Sequence, residues 1–397
     1  MRSLRQLDPR IVAQRRQAIR SATTARRLSN RPKHVIYIAD KPLPRLAKLA
    51  TAARMTGWKT TLLAKHITPL AGTQHFDEVK AYNSKWDALR IASETPSAIH
   101  HVSSGYMDMS IPSVFTRHRP APLVVDIYDP VIGIVDTALS SKLYPGLAAT
   151  EQACIESADG LCCRSLELQV AKRTMGLRLP DATIFFPEYC WDDIHLDKAT
   201  ANQGRKIRFA YAGNVPSRRP NGFLDVADAL DALGIEFHVF PALRNSRIDL
   251  ALRHKNIFLH DTANPDELIT RLSSFDAGIQ VELALLATRD LVSSQKAQYA
   301  VAGKIFDYLD AELPVVVCSQ RFQRWLVMRY RSGIKLCFGP GEIQGITADE
   351  IRRLLQDAKG NVKHAKAQLS LKHHAARLNS FYEQVSSRSR QSSWPTA

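Results

Sequence analysis

The stretch AGKIFDYLDAELPVVV, residues 302–317, places a cation and a carboxylate near the start of a predicted helix. Its first two residues are small, its apolar residues recur at helical spacing, and it ends in a run typical of a buried strand. Lys304 and Asp307 are three residues apart, so they lie on one face of that helix. Such a pair is either an ordinary surface ion pair or two polar groups directed at a ligand.

Polar residues also end two predicted strands in the first half of the chain. The segment IHHVSSG contains His100 and His101, and PLVVDIYDP contains Asp126 and Asp129. Because side chains alternate along a strand, we expect only one of the two adjacent histidines to face a ligand. In open parallel sheets, ligands bind outside the carboxyl ends of the strands, which is where these residues fall.

Strands alternate with helices from residue 34 onward, which indicates βαβ units and predicts parallel sheets. A length of 397 residues suits two domains, each with its own core. The polar stretch 191–206 lacks periodicity and predicts a linker between them. Two facing domains of this kind form a cleft, a common site for a ligand. The predicted strands are 34–40, 59–65, 98–104 and 122–129 in the first half, and 207–213, 235–242, 256–261, 276–281 and 314–319 in the second.

The two ends of the chain carry its net charge of +16. Residues 1–33 hold ten basic residues against Asp8, and residues 351–397 hold nine against Asp357 and Glu383. Such ends attract an anionic surface, either phospholipid headgroups or nucleic acid. Apolar residues recur among the N-terminal arginines near helical spacing, which predicts a basic helix on a membrane, although a solvated arm and an organellar transit peptide are alternatives. These residues are Leu4, Leu7, Ile11, Ala18 and Ala22.

The cysteines and the absence of long apolar runs indicate the compartment. The six cysteines form no CxxC pair and no His/Cys spacing suited to zinc. No apolar run approaches the roughly 18 residues of a spanning helix, and no secretory signal is visible. We therefore expect a cytoplasmic protein with reduced thiols. The basic ends leave open a peripheral position on the inner face of the membrane.

Three segments of the second half, taken in order, resemble the GT-B glycosyltransferases, and most closely their retaining family 4-like group. They are YAGN, NIFLHDTANPDELITRLSSFDAGI and GKIFDYLDAELPVVV. In the first half, PLVVDIYDP and EQACIESADGLCCRS are compatible with the same family, so the resemblance covers about residues 34–385. It implies an α/β fold of two Rossmann-like domains facing an interdomain cleft, with a C-terminal helix crossing back to the N-domain.

The resemblance also divides the chain into segments and implies an activity. The implied enzyme is a hexosyltransferase that moves a sugar from a nucleotide-diphosphate-sugar donor to a glycan or lipid-linked acceptor. It would retain configuration, use neither metal nor cofactor, and serve surface polysaccharide or glycoconjugate synthesis. The predicted segments are a basic extension (1–33), an acceptor domain (34–190), a linker (191–206), a donor domain (207–348), crossover helices (349–385) and a tail (386–397).

The same resemblance assigns roles to individual residues. Lys304 and the small residues at the helix start would stabilise the diphosphate, and Asp307 would accept hydrogen bonds from the ribose. In the acceptor domain, His101 would contact a substrate, and Asp129 would orient the acceptor hydroxyl or cap the following turn. The predicted donor-binding residues are Gly213, Asn214, Arg218, Arg219, Gly303, Lys304 and Asp307, and the predicted catalytic residues are His101 and Asp129.

Several departures from the family pattern keep other functions open. Tyr299 stands where the family often has a first glutamate, Asn214 where an arginine would fall, and Glu312 where glycine is common. The first βα turn, residues 39–45, carries prolines in place of a glycine-rich loop. The alternatives are a catalytically weakened partner protein, a nucleotide-sugar epimerase of the same architecture, and a nucleic-acid binder. Charge alone supports the last, because no nucleic-acid-binding motif is present.

Overall fold

The computed structural model divides into two compact units, Met1–Phe186 with His374–Ala397 (unit 1) and Pro187–His373 (unit 2). Each unit is an α/β layer structure around one parallel sheet, so the predicted fold class is confirmed. Among the described residues, no helix combines the length and the apolar character needed to cross a membrane. The structure describes residues 9–26, 31–67, 72–104, 109–128, 130, 146–192, 196, 206–215, 221–242, 244–280, 298–318, 320–336, 338 and 345–391.

Unit 1 contains a seven-stranded parallel sheet of order β3-β2-β1-β4-β5-β6-β7. The chain adds strands outward from β1 to β3 and then reverses direction at β4, so β1 and β4 flank a topological switch point. The strands are β1 His34–Ala39, β2 Lys59–Ala64, β3 Glu78–Ala81, β4 Ile99–Ser103, β5 Leu123–Ile127, β6 Gly160–Cys163 and β7 Thr183–Phe185. The helices are α1 Pro9–Arg26, α2 Pro44–Arg54, α3 Lys85–Glu94, α4 Ser110–His118, α5 Leu147–Ser157 and α6 Glu167–Met175.

Unit 2 contains a six-stranded parallel sheet of order β10-β9-β8-β11-β12-β13, with its switch point between β8 and β11. Its strands are β8 Arg208–Gly213, β9 Glu236–Pro241, β10 Ile257–Leu259, β11 Ala277–Gln280, β12 Val315–Val317 and β13 Gly333–Lys335. Its helices are α7 Asn221–Ala232, α8 Ser246–Ala251, α9 Pro265–Leu272, α10 Lys304–Asp310, α11 Arg321–Arg329 and α12 Ala348–Gln368. The last helix, α13 Leu371–Gln391, begins in unit 2 and continues into unit 1.

Burial explains which strands the sequence pattern detects. The central strands β1, β4 and β5 are buried at every position, although β4 contains two histidines and β5 contains Asp126. By contrast, β3 has the sequence EVKA and is half-buried at an edge of the sheet, so it lacks the apolar run that predicts a strand. The short β13 and the arginine-rich α11 were not predicted for the same reason.

The basic N-terminal segment forms a helix that belongs to the core of unit 1. Ala18, Ala22 and Ala25 lie on one stripe of α1 and are buried, and α1 packs against α3. Small side chains allow this close packing, while the arginines of α1 lie on its other faces. For residues 9–26, the solvated-arm interpretation is therefore wrong.

A buried ion pair holds α2 against the sheet of unit 1. Arg45 donates from Nε (3.0 Å) and Nη2 (2.8 Å) to the carboxylate of Asp126, and Nη2 also lies 3.2 Å from the Cys162 Sγ. Both charged side chains are almost fully buried. Burial alone would raise the pKa of Asp126, but the Arg45 charge, the nearby His101 ring and the Arg45 hydrogen bonds outweigh it and hold the pKa well below its usual range.

The same cluster fixes helix α13 to unit 1. The Tyr382 hydroxyl lies 3.0 Å from the Tyr37 hydroxyl and 2.8 Å from the His101 Nδ1. Gly160 lets the helix approach β6, because a Cβ there would lie 2.6 Å from a Val385 methyl group. Burial of these polar groups is tolerated because they hydrogen-bond to one another.

We predict that Arg45→Met lowers the free energy of unfolding by about 3–5 kcal/mol, because it leaves the Asp126 carboxylate buried without its counter-charge. Urea unfolding followed by circular dichroism measures the loss. Lys65→Met is the matched control, because Lys65 and Asp40 form an exposed pair at 3.9 Å in the same unit, which contributes less than about 1 kcal/mol. The double variant Arg45→Met/Asp126→Leu should recover part of the loss. Equal effects of Arg45→Met and Lys65→Met would contradict this account.

Candidate functional site

At the switch point of unit 2, a tyrosine hydroxyl joins strands β8 and β11 where their backbone hydrogen bonds end. Strands β8 and β11 pair only at Phe209–Ala277 and Ala210–Gly278. Beyond that point, the Tyr308 hydroxyl accepts a hydrogen bond from the Ala212 N–H (3.0 Å) and donates one to the Ile279 carbonyl (3.0 Å). The tyrosine therefore links the two strands where they separate.

Tyr308 reaches this position because α10 packs directly on Gly278. A Cβ at Gly278 would lie 2.1 Å from the Tyr308 ring, so a larger residue would displace the helix. Burial raises the pKa of Tyr308 well above its ordinary value, although the Ala212 hydrogen bond opposes this, so the hydroxyl keeps its proton. The position of α10 relative to the sheet is thus fixed by one ring and one glycine.

Lys304 lies at the carboxyl end of β8. Its Nζ donates to the Tyr211 hydroxyl at 2.9 Å and lies 4.2 Å from the centroid of that ring. The Tyr211 hydroxyl in turn donates to the Asn214 carbonyl at 2.8 Å. Gly213 adopts a φ of 140°, and a Cβ on it would lie 2.9 Å from the Lys304 Nζ. The structure therefore brings together Gly213, Asn214 and Lys304.

The Lys304 ammonium does not pair with the Asp307 carboxylate among the described side chains, so the surface ion pair considered from the sequence is absent there. Asp307 lies one turn further along α10 and is half-buried. Asn214 is exposed, and the contact it makes here uses its backbone carbonyl. The Lys304 ammonium is therefore held by a neutral hydroxyl and an aromatic ring.

A carboxylate that was not predicted from the sequence lies at the start of α10. A Cβ on Gly303 would lie 2.4 Å from the Glu188 Oε2, so the Glu188 carboxylate packs directly against this glycine. The segment after Glu188 is anchored: the Cys190 N–H donates to the Leu369 carbonyl (2.8 Å), and the Trp191 N–H to the Asp310 carboxylate (3.0 Å). The only sequence signal was an acidic residue directly after the apolar run IFFP.

His101 lies in unit 1 and is fully buried, as is His100. Because β4 is covered on both sides, neither imidazole is exposed, and the role predicted for His101 stays a prediction. His100 packs edge-on against Phe115 of α4 at 5.7 Å, whereas the His101 Nδ1 contacts Tyr382 of α13 at 2.8 Å. Burial lowers the pKa of both imidazoles, that of His100 to about 3.

One cluster in the described part of the chain has the spacing of a metal site, namely His101, Asp126 and Cys162. Its centre is filled by the Arg45 guanidinium, which contacts both the Asp126 carboxylate and the Cys162 sulfur. Burial also raises the pKa of Cys162 well above its ordinary value. The side chain therefore stays a protonated thiol, which is a poor metal ligand. These residues therefore fit a buried ion pair better than a metal ion.

Three predicted site residues, Asp129, Arg218 and Arg219, lie outside the described residues, and their roles stay predictions. Glu312 is described, and it has a φ of 56°. That backbone conformation favours glycine, which explains why glycine is common at this position in the family.

Neither a family model nor a curated protein sequence matches the chain. Solved structures do match, among them sucrose-phosphate synthase from Thermosynechococcus elongatus, with a TM-score of 0.64 and 12% identity over 89% of this chain and 99% of that chain. HepE of Anabaena in complex with UDP-glucose matches with a TM-score of 0.60 and 13% identity over 89% of this chain and 98% of that chain. A glycosyltransferase from Rickettsia africae matches with a TM-score of 0.60 and 12% identity over 89% of this chain and 98% of that chain.

These structural neighbours are glycosyltransferases of the GT-B fold, and the chain has that two-domain architecture. At 12–13% identity, the likeness establishes the fold alone. The predicted α/β fold with two Rossmann-like sheets is thereby confirmed.

We predict that His100 makes the protein less stable as the pH is lowered. Its folded pKa of about 3 lies below the value of about 6.5 in an unfolded chain, so the unfolded state takes up the proton first as the pH falls. This contribution is complete above about pH 6.5 and is lost as the pH falls toward 3. Between about pH 7.5 and pH 5 the loss is about 2 kcal/mol.

Urea unfolding at the two pH values measures the slope. His100→Asn should flatten the dependence by about 2 kcal/mol, whatever its effect on stability at pH 7.5. The exposed His66 provides the control, since His66→Gln should leave the slope unchanged. An unaltered slope in His100→Asn would refute the assignment of a neutral, buried imidazole.

Proposed function

We propose that the protein is a glycosyltransferase that moves a sugar from a nucleotide-diphosphate-sugar donor to a glycan or lipid-linked acceptor. The observation that carries the proposal is Lys304, held on Tyr211 beside Gly213 at the carboxyl end of β8. This is the edge at which open parallel sheets bind their ligands. HepE of Anabaena, which shares the fold, was solved with UDP-glucose, and this supports a nucleotide-sugar donor.

In this proposal, the charge that develops on the leaving diphosphate is stabilised by cations of the chain. Lys304 contributes one positive charge, and Gly213 allows the phosphates to approach the backbone. The predicted Arg218 and Arg219 add further charge from the loop after β8. Asp307 accepts hydrogen bonds from the ribose hydroxyls. The reaction proceeds with retention and without a metal ion, as in the retaining family 4-like group.

Glu188 is proposed to supply the contact to the sugar that position 299 cannot. Family members often have a glutamate there, but this chain has Tyr299. The Glu188 carboxylate lies against Gly303, immediately before Lys304. It is thus placed to accept hydrogen bonds from hydroxyls of the sugar next to the diphosphate.

On the acceptor side, Asp129 is proposed to orient the hydroxyl that attacks. His101 is assigned a positioning role, because it contacts Tyr382 and the ion pair of Asp126 and is fully buried. We propose a hexosyltransferase of surface polysaccharide or glycoconjugate synthesis that works in the cytoplasm at the inner face of the membrane. The basic ends support such a position.

The first test is a thermal-shift and calorimetric screen against UDP-, GDP- and ADP-sugars. We predict that one of them stabilises the wild type and that Lys304→Ala and Asp307→Ala each weaken its binding by about tenfold or more, because each removes a charge-assisted contact. Lys359→Ala removes an exposed cation from α12 of the same unit and should bind as the wild type does. No response to any nucleotide sugar would favour the alternative of a partner protein that has kept the fold and lost activity.

The second test separates the sugar from the nucleotide. We predict that Glu188→Gln, which keeps the side-chain shape against Gly303, weakens binding of the active nucleotide sugar about tenfold. Binding of the free nucleoside diphosphate should be unchanged or tighter, because a carboxylate near the phosphates is removed. Glu236→Gln on β9 is the control. Equal losses for sugar-bearing and sugar-free nucleotides would exclude a role for Glu188 in sugar recognition.

A further inference from the structure

A cavity of about 800 Å³ lies in unit 1, apart from every residue of the proposed donor site. Its walls come from α1, from the beginnings of α3 and α5, and from the whole length of α4. Residues 105–108 and 131–145, which lead into α4 and α5, lie outside the described residues. The lining residues are Arg15, Lys85, Trp86, Met109, Ser110, Ser113, Val114, Arg117, His118, Gly146, Leu147 and Thr150.

The described lining residues carry positive charge, and none of them is a carboxylate. Within the described part of the chain, Arg15, Lys85 and Arg117 form no ion pair, and all three side chains are exposed. The nearby acids of α3 are engaged elsewhere, since Arg90 binds both Asp87 (2.8 Å) and Glu94 (2.7 Å). Three cations that converge on a cavity without counter-charges indicate an anionic ligand.

The pKa of His118 responds to the same positive charges. Burial lowers the pKa of its imidazole, and the charges of Arg15 and Arg117 lower it further. Both guanidinium groups are therefore close enough to the cavity wall to act on a ring inside it.

The cavity also offers an apolar surface beside the cations. The Trp86 ring lies 5.1 Å from the Arg15 guanidinium carbon and 5.6 Å from the His118 ring. Met109 and Val114 are buried in the wall. The size is that of a small-molecule site, and the lining is amphipathic, with mobile cations and a fixed aromatic group.

The alanine stripe of helix α1 is not available to a membrane. Its three residues, Ala18, Ala22 and Ala25, are already buried against the protein, whereas Arg15 reaches the cavity. The packing excludes the alternative in which the alanine stripe lies in the bilayer.

We propose that this cavity binds a phosphorylated amphiphile. Arg15, Lys85 and Arg117 hold the phosphate, and Trp86, Met109 and Val114 contact the apolar part. The site is independent of the proposed transferase function, because it shares no residue with the donor site. The same chemistry is present in a membrane phospholipid and in a soluble phosphorylated amphiphile, and the experiment distinguishes these two sources.

The test uses the full-length protein and its tryptophan fluorescence. Dihexanoyl phosphatidic acid, kept below its critical micelle concentration, should change the fluorescence saturably, and Trp86→Phe should abolish most of that change. The double variant Lys85→Gln/Arg117→Gln should bind at least tenfold more weakly. Lys172→Gln/Arg173→Gln removes two exposed cations from α6 of the same unit and should bind within twofold of the wild type. Dihexanoyl phosphatidylcholine and inorganic phosphate should each bind at least tenfold more weakly than the phosphatidic acid.

Flotation with phosphatidylcholine vesicles, with and without phosphatidic acid, identifies the source. If the wild type floats with vesicles that contain phosphatidic acid and Lys85→Gln/Arg117→Gln does not, the ligand is a membrane lipid. Binding of the short-chain lipid without flotation supports a soluble phosphorylated amphiphile. The proposal is overturned by an absence of saturable binding, by an equal loss in the α6 control variant, by inorganic phosphate binding as tightly, or by an unchanged signal in Trp86→Phe.

Discussion

The Tyr308 hydroxyl bridges two strands that have already separated, and the geometry of the donor-side site depends on it. An N–H at the end of β8 and a carbonyl on β11 would otherwise lose their partners in a buried position, which is costly. By satisfying both, Tyr308 fixes α10 over the switch point. Lys304 lies one turn earlier on the same helix, so its contact with Tyr211 follows from this anchor. The conformation of the turn at Gly213 is fixed by the same group of contacts.

The two sheets have related topologies, but the side chains at their switch points differ in burial and in charge pairing. In unit 1, Arg45 follows β1 and pairs with Asp126 on β5, while His101 fills the space between them from β4. These groups satisfy one another and are buried. In unit 2, the cation is half-exposed and rests on a neutral hydroxyl beside an exposed Asn214. A cation at the ligand edge suits a diphosphate, so we propose the donor site in unit 2 and a structural role for the buried cluster in unit 1.

The sequence predicts the fold well because most of the buried parallel strands are largely apolar, and every strand missed was short or polar. The site is only partly predictable. Gly213, Asn214 and Lys304 were assigned from their order along the chain, and the structure brings them together. Alternation along a strand says which face a residue lies on but not what covers that face, so the burial of His101 could not be predicted. Glu188 had no strong signal, since its contact with Gly303 depends on hydrogen bonds that join residues 190 and 369.

The departures from the family pattern differ in what they change. Glu312 adopts a left-handed conformation at a cost of about 1 kcal/mol, but it follows α10 and pairs at 3.7 Å with Lys363, so it affects stability and not the site. Asn214 contributes its carbonyl to the contact with Tyr211, so the identity of its side chain matters little there. The prolines of the first βα turn lead to Arg45, whose partner is buried Asp126. Tyr299 removes a carboxylate, and Glu188, which lies against Gly303, is proposed to replace it.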